Sequence, residues 1–169
     1  MGCGRGEFLG LLSEHNIIAK GIDTNQFTID ILKRQGLDVF QSDAHDFLAG
    51  LEDSTLKGIT MFQVVEHLNY EYLKSLLVLS FNKIASDGII ILESVNPYCI
   101  VALGAFYLDP THLKPLSPDL LKFLLEWYGF TDVQIVYSNP TQESLCLTHI
   151  IMNYQTYAVI GRKQTHAEK

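Results

Sequence analysis

The sequence predicts an α/β fold: a doubly wound, mostly parallel sheet with helices on both faces. Short apolar runs alternate with segments of helical period, the pattern of strands joined by crossover helices. Helix-start residues (Asn25, Asn69, Ser117) stand ahead of three of the periodic segments. A chain of 169 residues fits one domain able to bury a real core, assigned here to 1–162, with a polar tail over 163–169.

Taken in order, Gly6 to His15 predicts a first helix with Phe8, Leu11 and Leu12 on one side, and Ile17 to Ile22 a buried strand. Asn25 caps a helix carrying Ile31 and Leu32 that stops at Gly36, and Asp38 to Gln41 is a short strand. Leu56 to Val64 is the next strand. Asn69 then starts the clearest helix, with Leu73, Leu76, Leu77, Phe81 and Ile84 at helical spacing. Gly88 to Val95, "GIIILESV", is an apolar strand. Asn96 to Leu116 is too long for an ordinary connection and reads as a functional loop. Ser117 and Pro118 open a helix to about Tyr128. Val133 to Tyr137 and Tyr157 to Ile160 are the last strands. Between them, "LCLTHIIM" is either a short helix or a lid, and the closing "KQTHAEK" is expected to fray.

Composition excludes several classes. A net charge of −7 with only 12 scattered Lys and Arg argues against nucleic acid, which needs clustered cations. The odd number of widely spaced cysteines, Cys3, Cys99 and Cys146, suits a reducing compartment and offers no paired zinc spacing. No apolar run is long enough for a membrane span and no signal peptide opens the chain, so the expected location is cytoplasmic. A homo-oligomer is compatible with all of this.

Three short motifs carry chemistry. In "GCGRGEF", Gly2, Gly4 and Gly6 let backbone N–H groups approach a ligand ahead of a helix N-terminus. The alternative is a plain glycine-rich turn. A dinucleotide fingerprint would need a glycine where Glu7 stands, and no second nicotinamide-binding half follows, which disfavours an NAD enzyme. In "GIDTN", Asp23 ends a strand where a carboxylate can accept from both ribose hydroxyls. In "FQSDAHDF", Asp43 can take an adenine amine while the N–H of Ala44 faces a ring nitrogen, or Asp43 simply caps a short helix.

With "VVEHL" and "GIIILESVNP", these motifs resemble, in order and spacing, those of class I S-adenosylmethionine-dependent methyltransferases over nearly the whole chain. The resemblance implies a Rossmann-like sheet of seven strands whose last, here "YQTYAVIGRK", runs antiparallel. It implies S-adenosyl-L-methionine as cofactor, with Gly2, Gly4, Arg5 and Gly6 against its methionine part. Asp23 and Thr24 would serve the ribose, Asp43 and Ala44 the adenine, and Gln63 and Val64 would close over it. The family has a strand ending in an acid just before the first glycine. Here Met1 stands in that place, and the expectation is a chain truncated before the glycine loop that binds the cofactor weakly or not at all.

The stretch "AFYLDPTHLKPLSP" offers Asp109 and His112 as catalytic residues for a hydroxyl acceptor, and Tyr107 and Lys114 as acceptor-binding residues. The alternative is that Asp109 and Thr111 merely build the turn around Pro110 and His112 is solvated. The run D-P-T-H-x-K-P resembles a loop of bacterial methyltransferases of polysaccharide assembly, including O-antigen-associated ones. This implies a small-molecule or glycan acceptor methylated on a sugar hydroxyl or a phosphate, the latter met by Arg5, His112 and Lys114. Glu66 and His67 resemble part of the magnesium site of methyltransferases with an E-x-x-E-H run. Gln63 replaces the first acid and no second histidine is evident nearby, so no metal is expected. The reading from another class is a noncatalytic methyltransferase-like binding or assembly module.

Overall fold

The computed structural model describes residues 1–141 and 150–164. It divides into two compact units, Met1–Glu52 and Asp53–Lys169.

In the first unit the order is α1 (Glu7–Glu14), β1 (Gly21–Asp23), α2 (Gln26–Arg34), β2 (Val39–Gln41) and α3 (Ala44–Ala49). β1 and β2 pair in parallel, Gly21 opposite Val39 and Asp23 opposite Gln41. The glycine segment joins them through Cys3 N–H to the Ile22 carbonyl, 2.9 Å. Ile29, Leu32 and Val39 form the buried core, with Cys3, Leu9 and Leu37 packed against it. The side chain of Asn25 caps α2 by accepting from the N–H groups of Phe27 and Thr28, as expected, and Gly36 ends that helix at φ 81°.

Two expectations fail in this unit. The strand predicted over Ile17–Ile22 shrinks to Gly21–Asp23 because the chain is still closing α1: Asn16 turns left-handed at φ 57°, the Ile17 N–H bonds to the Leu12 carbonyl, and Ile18 is 97% exposed. On the helices, Leu9 rather than Leu11 faces the core in α1, and Ile29 rather than Ile31 does so in α2.

The second unit contains β3 (Leu56–Phe62), α4 (Tyr70–Lys83), β4 (Ile84–Val95), α5 (Ile100–Phe106), α6 (Pro118–Trp127), β5 (Thr131–Pro140) and β6 (Tyr154–Arg162). The sheet order is β3-β4-β6-β5. β3 and β4 are parallel, and β6 is antiparallel to both of its neighbours. In this sheet the last strand alone therefore runs against the other three, and the α/β architecture with a mixed, Rossmann-like sheet holds. Asn69 and Ser117 cap α4 and α6 as their positions predict. Among the described residues there are six strands in two sheets.

β4 begins at Ile84, earlier than the expected Gly88, because Leu56 pairs with Ile84 across an irregularity in the ladder. At Gly88 a Cβ would stand 2.9 Å from the Lys57 carbonyl oxygen, so the close approach of the two strands requires glycine. The stretch expected to be irregular, Asn96 to Leu116, holds α5, whose "IVALGAF" buries only Ala102 and Phe106. β3 stops at Phe62, not Val64, and a 3₁₀ turn over Val65–His67 follows. Of the segment left open between helix and lid, Ile150–Asn153 forms a 3₁₀ turn and 142–149 lie outside the described residues. Lys163 does not fray: its Nζ donates to the carbonyls of Phe81 (2.8 Å) and Ile84 (2.7 Å). No helix among the described residues is long and apolar enough to cross a membrane.

Candidate functional site

In the first unit, Gly2, Gly4 and Gly6 adopt φ of 65°, 48° and 79°, the left-handed region that favours glycine. They differ in what a side chain would meet. A Cβ on Gly6 would stand 2.6 Å from Leu32 Cδ2, so Gly6 lets the loop lie against α2, whereas a Cβ on Gly4 would meet nothing and that face is open to a ligand. The Gly4 N–H donates to Asp23 Oδ2 at 3.0 Å and the Asn25 N–H to Asp23 Oδ1 at 2.9 Å. A carboxylate offers about four lone-pair sites, so Asp23 is fixed in place with acceptor capacity left over. Thr24 is exposed beside it, and Arg5 pairs with Glu7 on the surface at 2.8 Å.

Asp43 accepts from His45 N–H (2.8 Å) and Asp46 N–H (3.4 Å), so it caps α3, of which Ala44 is the first residue. Capping does not by itself exclude a ligand, since a carboxylate offers about four lone-pair sites. β1 and β2 are adjacent and parallel, and the Ser42 N–H bonds to the Asp23 carbonyl at 3.1 Å. Asp23 thus ends β1 and Asp43 lies just beyond β2, at the carboxyl ends of neighbouring strands, the place where open α/β sheets bind nucleotides. The open glycine face and the two carboxylates fit an adenosyl group.

In the second unit the chain leaves β3 through Gln63, a non-glycine residue at φ 53° whose side-chain amide donates to Glu93 Oε1 at 3.0 Å. The 3₁₀ turn then presents Glu66 and His67. The Leu113 N–H bonds to the Glu66 carbonyl at 2.9 Å and ties the loop after α5 to this turn. That loop delivers His112, whose ring centroid lies 4.6 Å from that of His67. The sequence expectation that Glu66 and His67 have no second histidine nearby is therefore wrong, because a backbone bond between distant segments brings His112 in.

Glu66 is fully buried, and neither carboxylate oxygen has a hydrogen-bond partner. The buried Ser94 hydroxyl faces it without completing a hydrogen bond. Burial raises the Glu66 pKa above the ordinary carboxylate value, and its own backbone, Ser94, His67 and His112 lower it by smaller amounts. Burial also raises the Tyr157 phenol, with Glu66 adding to the effect, so Tyr157 stays neutral and donates to the Leu116 carbonyl at 2.8 Å.

Both imidazoles have a fixed tautomer. His112 Nδ1 lies 2.7 Å from the Phe106 carbonyl, which only accepts, so Nδ1 carries the proton; the ring also stacks on Phe106 at 4.4 Å. His67 Nδ1 faces the Thr111 carbonyl (3.2 Å) and Thr111 Oγ1 (3.0 Å), and that hydroxyl donates to Asp109 Oδ1 at 2.6 Å. His67 Nδ1 is therefore a donor as well. Each ring keeps its Nε2 lone pair. Asp109 builds the turn around Pro110, held below the usual carboxylate range by the Thr111 hydroxyl and N–H, and reaches the cluster through Thr111. Tyr107 and Lys114 are exposed on either side of this loop, and Tyr107 meets Phe106 edge-on at 5.3 Å.

A family model described as a methyltransferase domain matches residues 1–135. The chain is 37% identical to a SAM-dependent methyltransferase of Archaeoglobus fulgidus, whose crystal structure it matches with a TM-score of 0.88 over 96% of this chain and 83% of that one. It is 15% identical, with a TM-score of 0.78, to a Thermotoga maritima protein described as a possible histamine N-methyltransferase, over 97% of this chain and 80% of that one. The Burkholderia thailandensis 1,6-didemethyltoxoflavin-N1-methyltransferase, solved with 1,6-didemethyltoxoflavin and S-adenosylhomocysteine, shares 15% identity at a TM-score of 0.65, over 97% and 69%. At 15% the likeness concerns the fold. No curated protein matches the chain.

Proposed function

The chain belongs to the S-adenosylmethionine-dependent methyltransferases, and from that premise we propose that it methylates an oxygen of a saccharide or saccharide phosphate. The observation that carries this reading is the setting of His112: Nδ1–H is fixed on the Phe106 carbonyl, so Nε2 presents a lone pair. A hydroxyl acceptor must give up a proton as its oxygen gains the methyl group, and a neutral imidazole suits that work near neutral pH. Exposed Tyr107 and Lys114 on the same loop supply an apolar ring for a sugar face and a cation for a phosphate. The resemblance of D-P-T-H-x-K-P to loops of polysaccharide-linked methyltransferases supports the same acceptor class.

When bound, the cofactor supplies an electrophilic methyl group on a sulfonium. Gly2, Gly4, Arg5 and Gly6 would hold its methionine portion, Asp23 and Thr24 its ribose, and Asp43 and Ala44 its adenine. His112 Nε2 takes the acceptor's hydroxyl proton, and the Glu66 carboxylate stabilises the imidazolium that results. Asp109 steadies His67 through Thr111. A phosphate acceptor is already anionic, and Lys114 and His112 then act as cationic partners.

The test is transfer from labelled cofactor to nucleotide sugars, lipid-linked glycans and phosphorylated glycans. With a hydroxyl acceptor, His112→Gln slows turnover by about 10²–10⁴-fold. With a phosphate acceptor, Lys114→Ala mainly raises KM. Transfer confined to amines, with no glycan methylated, would overturn the proposal.

A further inference from the structure

We infer that Glu66, His67 and His112 form a divalent-cation site. One ligand atom from each lies within 4.8 Å of the other two. Two donors on one ion at about 2.1 Å span at most roughly 4.2 Å, so a small side-chain adjustment closes the set.

Three independent features of the cluster point to a cation. Glu66 is fully buried with both oxygens unpartnered, an arrangement that costs free energy unless a positive charge sits beside it. Both histidines anchor Nδ1–H on backbone carbonyls, Phe106 for His112 and Thr111 for His67, and so aim an Nε2 lone pair elsewhere. Metal-ligating histidines almost always hold their other ring nitrogen in this way. Finally, Asp109 and Thr111 complete an outer layer: the Thr111 hydroxyl accepts from His67 and donates to Asp109.

The donor set selects the ion. Two imidazoles and one carboxylate favour zinc, cobalt, manganese or iron over magnesium and calcium, which prefer all-oxygen shells. Gln63, where an acid would have favoured magnesium, is turned to Glu93 and does not contribute. Three protein ligands leave further positions open for an exchangeable oxygen, as in catalytic rather than structural zinc sites. The cation's role, unlike the site itself, rests on the acceptor reading above. With a cation bound, the Nε2 lone pair of His112 is committed to it, so the base role given to His112 above belongs to the cation-free protein. The cation then lowers the pKa of a coordinated acceptor hydroxyl, whose proton passes to solvent.

The full chain, stripped with chelator and confirmed folded by circular dichroism, is titrated with Zn²⁺ by calorimetry and with Co²⁺ by visible absorption. The expected result is one equivalent of each, with cobalt bands of low coordination number. His67→Gln, His112→Gln and Glu66→Gln should each weaken binding by tenfold or more. Thr111→Val, which removes only the hydroxyl behind His67, should weaken it by about tenfold. His15→Gln, on the exposed end of α1, should leave it unchanged. Absence of stoichiometric uptake by the folded chain, or uptake unaltered in both histidine variants, would overturn the site. Should Glu66→Gln fail to fold, the half-buried His67→Gln decides. Metal uptake without any glycan methylation would sink the acceptor reading and leave the site standing; full glycan methylation by the metal-stripped chain in chelator would sink the cation's catalytic role.

Discussion

The amide of Gly4 donates to the carboxylate of Asp23 across 3.0 Å, so the glycine loop and the end of β1 position one another. The other Asp23 oxygen accepts from Asn25 N–H at 2.9 Å. Asp23→Asn keeps the shape but turns one acceptor into a donor, leaving one of these two amides facing an NH₂ group. Hydrogen bonds to a charged group contribute about 1.5–3 kcal/mol. Affinity for S-adenosylhomocysteine, measured by calorimetry, should therefore fall roughly 10- to 100-fold. An unchanged Kd would show that the carboxylate does not serve the ribose.

Asp43 has a visible structural task, capping α3, and an expected ligand task; one pair of substitutions separates them. Serine is a good N-cap, so Asp43→Ser should keep stability within about 0.5 kcal/mol while removing the carboxylate, whereas Asp43→Ala should cost about 1 kcal/mol. Both should weaken cofactor binding, read by calorimetry. If only the alanine variant loses stability and both bind cofactor like the parent, Asp43 is a cap and nothing more.

The placement of Asp23 and Asp43 at strand ends was legible in the sequence because each comes at or shortly after the end of a short apolar run. The caps Asn25, Asn69 and Ser117 were legible for a similar reason: each bonds a backbone N–H two or three residues on, a purely local interaction. α5 was not legible, since Cys99 provides no side-chain cap and "IVALGAF" has no polar face to mark a period. The Ile17–Ile18 run misled because apolar character alone does not say whether a chain has finished turning out of a helix. The meeting of His112 with Glu66 and His67 depends on the Leu113-to-Glu66 backbone bond, a tertiary event with no local signal.

Gly6 and Gly4 share a left-handed backbone but not surroundings, which makes a matched pair of alanine substitutions informative. At both positions the left-handed conformation costs an L-residue roughly 1–2 kcal/mol. Only at Gly6 does the new methyl also meet Leu32, at 2.6 Å from Cδ2, adding an overpacking cost of about 1–3 kcal/mol. Urea unfolding should show Gly6→Ala losing clearly more stability than Gly4→Ala. Cofactor binding should suffer in Gly4→Ala even though the fold holds, because its methyl projects onto the open face. Equal losses of stability would mean that Leu32 moves aside without penalty.

Glu66 gives the unit a pH dependence of definite sign. Burial raises its pKa above the ordinary 4.5, so the folded state holds the proton more tightly than the unfolded chain. Below pH 4.5 both states are protonated and the neutral acid is tolerated. As pH rises through the window between 4.5 and the raised folded value, the unfolded chain ionises first and stability falls; above that window the loss is complete. His67, His112 and Ser94 face the carboxylate and limit the loss, and the Tyr157 phenol, neutral throughout this range, does not offset it. Glu66→Gln cannot ionise and should not show this decline. In chelator, urea midpoints of the two proteins should be close at pH 4 and separate by pH 7, with the variant the more stable. A parent protein whose stability relative to Glu66→Gln increased toward neutral pH would show that the carboxylate is paired in solution and that its burial is compensated.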